Sequence, residues 1–243
     1  MMSDISTTSV SENYERVLSR VDLVARSSGR DPEQVRLVVV TKGQSIDKVR
    51  QVVSAGARLL GENYVQEALP KINELKVEFD LEWHMIGHIQ SRKAKLVSNN
   101  FDWIHTVDSL RLATRLDRFA GEVGKRVPAL LEFNMSGEDS KYGWKAWNEL
   151  EWERLADEIT PIIELSQLDV QGVMTMAPYF TEPERSRPHF IRLRELSEYL
   201  TSRFPESSWK ELSMGMSTDF EIAIQEGATM VRIGTAILGK RSN

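Results

Sequence analysis

A lysine at the end of an apolar run is the first feature of this sequence that could do chemistry. The run "VRLVVVTK" is mostly β-branched and ends at Lys42, which predicts a buried strand with a charged group at its carboxyl end. A lysine amine is a nucleophile only when it is neutral, and burial lowers its pKa. Two interpretations follow: either the Lys42 side chain extends into solvent, or its amine condenses with an aldehyde.

Two glycine turns could hold an anion. The segment "SMGMS" ends at Ser217 just before a predicted helix, and "RIGT" places Gly234 and Thr235 directly after a predicted strand. Small residues allow backbone N–H groups to approach a phosphate closely. For either segment alone an ordinary tight turn is the alternative, but together they predict a phosphate-binding cup.

A reactive lysine and a phosphate cup together favour pyridoxal 5'-phosphate, because this cofactor carries both an aldehyde and a phosphate. Arg232 lies two residues before Gly234, so it could reach the pyridine ring of a cofactor whose phosphate the turn holds. A positive charge there disfavours protonation of the pyridine nitrogen and weakens the ring as an electron sink. A structural salt bridge is the alternative role for Arg232.

The histidines give a weaker signal. His84 and His88 are four residues apart in "LEWHMIGH", a spacing that brings metal ligands together on a helix. This segment, however, has the pattern of a strand that runs into a glycine turn, and no carboxylate cluster accompanies it. We therefore predict no metal site, and we expect His84, and also His105, to line the mouth of the fold.

Alternation of short apolar runs with longer amphipathic ones indicates how these residues are positioned. Eight strand candidates cover residues 35–41, 58–61, 81–86, 103–105, 129–134, 170–174, 211–213 and 230–233. Helical patterns cover about residues 11–28, 46–55, 64–76, 109–123, 145–166, 184–203 and 219–225. Strand–helix alternation predicts a parallel sheet covered by helices. Eight units favour an α/β fold with a single (β/α)8 TIM barrel and an extra amino-terminal helix.

A barrel makes a specific prediction about the site. Active sites of TIM barrels lie at the carboxyl ends of the strands, and phosphate sites commonly follow strands seven and eight. Strands one and eight are neighbours, so Lys42 and the turn at Gly234 should face each other across the barrel mouth.

Composition narrows the class of protein. The chain has 243 residues, is 41% hydrophobic and 28% charged, carries a net charge of −5, and contains no cysteine. The absence of cysteine excludes disulfides and thiolate chemistry, and the negative charge argues against nucleic-acid binding. Residues 1–10 are polar and predict a flexible segment without a signal peptide, followed by one domain over residues 11–243. We expect a cytoplasmic protein with no membrane span.

The motifs resemble those of the YggS/PROSC family of pyridoxal 5'-phosphate homeostasis proteins from about Tyr14 to Lys240. They are "RLVVVTK", "LLGENYVQEALPKI", "LEWHMIGHIQSRK", "FDWIHTVDSLRLATRL", "GVMTMAP" and "LSMGMSTDFEIAIQEGATMVRIGTAILG". The family is similar to the barrel domain of alanine racemase, the fold-type III arrangement. The resemblance implies that Lys42 forms the internal aldimine and that Arg232 faces the pyridine nitrogen. The other residues implied at the cofactor are Asn63, His84, Met174, Ser213, Gly215, Ser217, Gly234 and Thr235.

The sequence departs from the family pattern beside the lysine and in one later loop. Family members usually have "SKTKP" where this chain has "TKGQS", so Gln44 replaces a second lysine and Ser45 replaces a proline. If that second lysine assists cofactor transfer, the step is altered here. In the loop after the third strand, His88 and Arg92 replace a proline and an asparagine of the common "GPLQSNK".

The resemblance implies a cofactor-binding protein without established catalysis. Such a protein would bind, store or deliver pyridoxal 5'-phosphate, with apo-enzymes as possible recipients, and we expect a monomer. Racemisation needs a second acid–base group opposite the lysine, which alanine racemase takes from a further domain that we do not expect after the eighth strand. The alternative is a racemase or lyase that acts on a small amino acid.

Overall fold

The computed structural model describes residues 9–240, in which a closed barrel of eight parallel strands forms the centre. The described residues contain nine strands, of which all but β6 belong to the barrel. They are β1 (Arg36–Val40), β2 (Leu59–Glu62), β3 (Glu82–Met85), β4 (Trp103–Val107), β5 (Val127–Asn134), β6 (Trp144–Lys145), β7 (Leu168–Met174), β8 (Glu211–Ser213) and β9 (Met230–Ile233). Neighbouring strands follow the order β4-β3-β2-β1-β9-β8-β7-β5, and a β4–β5 pairing closes the ring. The two-residue β6 pairs only with β5, outside the ring. The predicted (β/α)8 barrel is confirmed.

Helices surround the ring and cover its outer face. They are α1 (Val10–Ser27), α2 (Ile46–Ser54), α3 (Val65–Leu75), α4 (Ala94–Asn100), α5 (Leu110–Glu122), α6 (Trp152–Ile163), α7 (Arg187–Arg203), α8 (Phe220–Gln225) and α9 (Thr235–Leu238). Their buried faces and the outward faces of the strands form one large apolar cluster. Among residues 9–240, none of the helices combines the length and apolar content that crossing a bilayer requires.

The predicted extra helix at the amino terminus is α1. Ser9 accepts a hydrogen bond from the backbone of Glu12, and the Glu12 side chain accepts one from the Ser9 amide, so a capping box starts the helix. Of the segment predicted to be flexible, residues 1–8 lie outside the described residues, whereas Ser9 caps α1 and Val10 begins it. The apolar face of α1 lies against α2, α8 and α9 and covers the junction of the first and last barrel units.

All eight predicted strands form, with ends that differ by at most two residues. The helix predicted over residues 145–166 is wrong at its start, because α6 begins only at Trp152. Lys145 instead lies in β6 and pairs with Asn134 of β5. A short 3-10 turn follows, capped by the side chain of Asn148. Helical periodicity could not reveal this, since the pairing partner lies eleven residues earlier in the chain. The short helices α4 and α9 were not predicted.

Candidate functional site

The turn that carries Lys42 lies at the carboxyl end of β1, at the barrel mouth, as the sequence predicts. The Thr41 amide continues the sheet by donating to the Gly61 carbonyl at 2.9 Å. The chain then reverses: Gly43 has φ 66°, and the Gln44 amide donates to the Thr41 carbonyl at 3.1 Å. Lys42 is half-buried in this turn, so its side chain starts at the rim rather than in the core.

The register of β1 and β9 places the two predicted halves of the site side by side. Val38 pairs with Arg232, and Val39 pairs with Ile233. Gly234 then passes so close to β1 that an added Cβ would lie 3.1 Å from the Val40 carbonyl oxygen. The turn at Gly234 and Thr235 therefore lies beside the end of β1, at Val40, which is two residues before Lys42.

The other glycine turn follows β8 and touches the first. Gly215 has φ 90°, and an added Cβ would lie 2.6 Å from the Ala223 Cβ, so a side chain here would displace α8. The Ser217 hydroxyl accepts a long hydrogen bond of 3.4 Å from the Ala236 amide. The structure thus brings together the segments after β8 and β9, which the sequence predicted to form one cup.

Arg232 is buried inside the barrel beneath this cup. Its guanidinium donates to the Ser213 hydroxyl at 2.5 Å and to the Thr175 carbonyl at 2.9 Å. Burial lowers the pKa of Arg232 to about 10, against the opposing effects of Asp219 and Glu132, so the side chain stays charged at neutral pH. No described residue forms a direct ion pair with Arg232, and the structural salt bridge considered as its alternative role is therefore not formed among residues 9–240.

A chain of hydrogen bonds leads from Arg232 through the barrel interior. Ser213 contacts His105 Nδ1 at 2.8 Å, His105 Nε2 contacts His84 Nδ1 at 2.8 Å, and His84 Nε2 contacts Glu82 at 2.7 Å. Burial lowers the pKa of both histidines, so both are neutral at pH 7. One orientation satisfies every contact: each histidine carries its proton on Nε2 and accepts on Nδ1.

This chain defines where His84 lies. The side chain is fully buried, both ring nitrogens have partners, and the ring stacks on Trp103 with centroids 6.0 Å apart. His84 therefore sits in the barrel interior below the mouth, on the far side of His105 from Arg232. Met174 is also fully buried there, in a small apolar cluster with Leu130 and Met230.

Asn63 follows β2 and lines a cavity of about 480 Å³ at the rim. The cavity lies between the segments after β2 and β3, and its lining also includes Thr106 of β4 and Met176, just after β7. Glu132 also lines it, at 3% exposure. Burial, and secondarily Asp108, raises the pKa of Glu132 to about 7. No hydrogen bond to Asn63 Oδ1 or to Glu132 Oε2 is present among the described residues, although both atoms are buried.

Sequence reasoning did not identify Glu132, Glu62 or Lys71. Glu62 and Lys71 form a buried ion pair of 2.7 Å directly behind the Lys42 turn. The strand predicted over residues 58–61 stopped one residue before Glu62, and Lys71 lay within the helix predicted over residues 64–76 without a role. The available signal was the spacing of Glu67 and Lys71, four residues apart and so on one helix face, beside a strand that ends in a carboxylate.

Comparison with known sequences assigns the family. The sequence model of the family described as alanine racemase, N-terminal domain, matches residues 13–242. A pyridoxal phosphate homeostasis protein of Vibrio alginolyticus is 38% identical over 236 residues, which are 96% of this chain and 98% of the relative. The protein of that name from Escherichia coli K12 is 37% identical over 235 residues, 96% of this chain and 97% of the relative.

Solved structures agree with this assignment. PipY of Synechococcus elongatus PCC7942, solved with PLP bound, has a TM-score of 0.79 and 35% identity, covering 95% of this chain and 100% of PipY. An alanine racemase of Clostridium difficile 630 has a TM-score of 0.66 at 16% identity, over 93% of this chain and 56% of the racemase, which is a likeness of fold alone. The chain therefore belongs to the family of pyridoxal phosphate homeostasis proteins, built on the barrel of the alanine racemase amino-terminal domain.

Proposed function

We propose that this protein binds pyridoxal 5'-phosphate at the carboxyl rim of the barrel and serves its homeostasis by binding, storing or delivering the cofactor. One observation carries the proposal: the β1–β9 register puts the Lys42 turn beside the glycine turn at Gly234. The amine and the phosphate cup therefore follow two neighbouring strands. One small molecule that carries both an aldehyde and a phosphate can reach both. PipY, solved with PLP bound, and the homeostasis proteins at 37–38% identity support it.

The residues present fit the chemistry of this cofactor. The cup has the Ser217 and Thr235 hydroxyls and two turns, at Gly215 and Gly234, in which side chains would collide with the fold. Such turns give a phosphate close access to backbone N–H groups. Arg232 is a buried cation beneath the cup and disfavours a proton on a pyridine nitrogen held against it. Ser213 fixes the guanidinium, and we assign Asn63 and Met174 to the surroundings of the ring. We assign His84 to the site through its hydrogen-bonded chain to Arg232, by way of His105 and Ser213.

The covalent step belongs to Lys42. When bound, the cofactor would supply an aldehyde, with which the neutral Lys42 amine would form a Schiff base with loss of one water. The turn at Gly43 keeps the lysine at the rim, where water can enter and leave. Reversal by water frees the cofactor, which is the property that a storage or delivery protein needs. Apo-enzymes that use the cofactor are the recipients we propose, and we expect a monomer, which light scattering would check.

Lys42→Ala tests the covalent assignment. The unsubstituted protein, incubated with pyridoxal 5'-phosphate and then reduced with borohydride, should carry the cofactor on the peptide that contains Lys42. The Lys42→Ala protein should show neither the visible absorbance nor the trapped peptide, while it stays folded because Lys42 lies in a rim turn. Trapping at another lysine of the unsubstituted protein would refute the assignment.

We further propose that the protein does not catalyse a reaction of its own, as the names of its relatives support. Purified protein loaded with cofactor is incubated with small amino acids, and racemisation and release of oxo acids are followed over time. The proposal expects no turnover above the rate of free cofactor. Robust turnover that disappears in Lys42→Ala would establish the alternative, a racemase or lyase.

A further inference from the structure

One helix contacts the backbone on both sides of Lys42. From α3, the Lys71 ammonium donates to the Thr41 carbonyl at 2.8 Å, and Glu67 accepts from the Gly43 amide at 3.1 Å. Glu67 and Lys71 are four residues apart and therefore lie on the same helix face. The carbonyl that precedes Lys42 and the amide that follows it are thus each bound by a side chain of α3.

The contact between Lys71 and the Thr41 carbonyl is part of a buried ionic cluster. Lys71 is 5% exposed and Glu62 is fully buried. Glu62 Oε1 accepts from the Lys71 ammonium at 2.7 Å and from the Thr41 hydroxyl at 2.7 Å. Glu62 thereby holds both Lys71 and Thr41, so the side chain and the carbonyl of Thr41 are fixed by one network.

Stability alone does not account for this cluster. Removing two charges from water costs free energy that their attraction often fails to recover, and apolar residues of similar volume are frequently as stable or more so. Burial accordingly raises the pKa of Glu62 in spite of Lys71. What the pair provides that an apolar pair could not is a charged side-chain donor for the Thr41 carbonyl, in addition to the Gln44 amide of the turn itself.

We propose that Lys71, held in place by Glu62, is a positioning residue for Lys42. By fixing the peptide plane between Thr41 and Lys42, it sets the direction in which the Lys42 side chain leaves the backbone and thus keeps the amine aimed at the mouth. Glu67 fixes the backbone on the other side of Lys42 by accepting a hydrogen bond from the Gly43 amide. This role rests on the proposed function, since it concerns the reach of the Lys42 amine toward the cofactor aldehyde.

The test separates positioning from folding. The double variant Glu62→Leu with Lys71→Met removes both charges together, so no buried charge is left unpaired and the barrel stays folded, with a melting midpoint within about 5 °C of the unsubstituted protein. It still lacks the charged donor to the Thr41 carbonyl, which keeps only the Gln44 amide of the turn itself. Lys76→Met, at an exposed lysine at the end of the same helix, is the matched control.

Two measurements report on the turn and on the amine. Hydrogen exchange of the amides of residues 42–45, in protein without cofactor, should be about tenfold faster in the double variant, because a charged hydrogen bond to the turn is lost. The equilibrium constant for borohydride-trappable attachment of pyridoxal 5'-phosphate to Lys42 should fall about tenfold or more for the same reason. Glu67→Ala should lower it by ~3-fold, and Lys76→Met should change neither measurement.

The outcomes are distinguishable. A folded double variant with a lower equilibrium constant for attachment and faster exchange supports the positioning role. A folded double variant whose exchange and attachment match the unsubstituted protein overturns the positioning role and leaves cofactor binding intact. If the unsubstituted protein itself shows no attachment at Lys42, the proposed function fails, and the positioning role falls with it.

Discussion

At the scale of single residues, Glu132 is a buried acid whose charged form is disfavoured by its surroundings. It is 3% exposed, and burial and Asp108 raise its pKa to about 7, although Arg232 and Lys141 oppose the rise. A folded-state pKa above the ordinary value of 4.5 means that the folded protein keeps this proton while the unfolded chain loses it. Glu132 therefore makes the fold less stable as the pH rises from about 4.5 to about 7.

Glu132→Gln should remove that dependence. Relative to the unsubstituted protein, the variant should gain on the order of 3 kcal/mol of unfolding free energy between about pH 4 and about pH 8, since each pKa unit corresponds to about 1.4 kcal/mol. Urea denaturation at several pH values measures this difference. Glu153→Gln, at an exposed glutamate of α6, serves as the control. A difference between Glu132→Gln and the unsubstituted protein that does not vary with pH would contradict the assignment.

The hydroxyls of the phosphate cup should affect retention of the cofactor rather than its covalent chemistry. Ser217→Ala and Thr235→Ala each remove one donor, so each should weaken retention by about 1–3 kcal/mol while borohydride still traps the cofactor on Lys42. The dissociation rate during dialysis, followed by visible absorbance, measures this. Thr218→Ala, at the exposed neighbour, should have no effect. Unchanged rates in both cup variants would mean that backbone donors alone hold the phosphate or that the cup lies elsewhere.

The two residues that depart from the family pattern have structural partners. Ser45 caps α2 by accepting from the Lys48 amide at 3.4 Å, and its φ of −67° is one that proline also adopts. Gln44 is buried, and its amide nitrogen reaches the Gly239 carbonyl at 3.4 Å. A lysine at this position would place its ammonium near the same carbonyl group. In this chain, Gln44 therefore ties the Lys42 turn to the end of α9 with an uncharged contact.

At the scale of elements, the hydrogen-bonded chain from Glu82 to Arg232 connects four strands through the barrel interior. Its orientation requires both histidines to be neutral, because a proton on His105 Nδ1 would remove the acceptor for the Ser213 hydroxyl. The folded-state pKa of each histidine lies below its ordinary value of 6.5. Stability from this network is therefore present above about pH 6.5 and is lost as the pH falls below it.

His105→Asn should make the fold less sensitive to acid. The variant keeps an acceptor toward Ser213 but cannot titrate, so below about pH 6.5 the unfolding free energy should fall less steeply than in the unsubstituted protein, by up to about 1.4 kcal/mol per pH unit. Denaturation between about pH 5 and about pH 7 measures the slopes. In the unsubstituted protein, the ring signals of His84 and His105 should titrate in NMR spectra only below about pH 6.5, because burial lowers both pKa values. Titration of either ring near 6.5 would contradict the neutral network.

The elements were largely predictable because each strand and helix shows, within its own sequence, the pattern of apolar residues typical of its type. The eight apolar runs and the polar residues after them predicted the barrel and placed Lys42, Gly234 and Thr235 on one rim. The interior was not predictable in the same way. His84 looked like a residue of the mouth, but whether it reaches upward or joins His105 depends on barrel register and on the bulge between β4 and β5. The Glu62–Lys71 pair depends likewise on how α3 docks.

At the scale of the whole molecule, the shell and the interior of the barrel have different compositions. The apolar cluster between strands and helices spans the whole circumference, whereas the small apolar cluster inside the ring contains Leu130, Met174 and Met230 with Trp103 beside them. The polar chain that ends at Arg232 lies in the same interior. Stability therefore comes mainly from the shell, so the interior and the rim can hold buried ionisable groups that a purely structural core would exclude.

The extra helix α1 joins the beginning and the end of the barrel, and a single side chain tests this. Just after α1, the half-buried Arg30 donates to the carbonyls of Ile224 and Ala228, both at 2.8 Å, and so ties the first unit to the last. Arg30→Met should lower the unfolding free energy by about 1.5–3 kcal/mol, as expected for lost charged hydrogen bonds.

The matched control is Arg26→Met, which breaks only an exposed pair with Asp22 within α1 and should change stability by less than about 0.5 kcal/mol. In urea, both variants should unfold in one transition with the m-value of the unsubstituted protein, because a closed ring cannot lose its first unit without opening the β1–β9 pairing. A biphasic transition in Arg30→Met, with the signal of α1 lost first, would show that the helix covers the junction of the first and last barrel units without stabilising it.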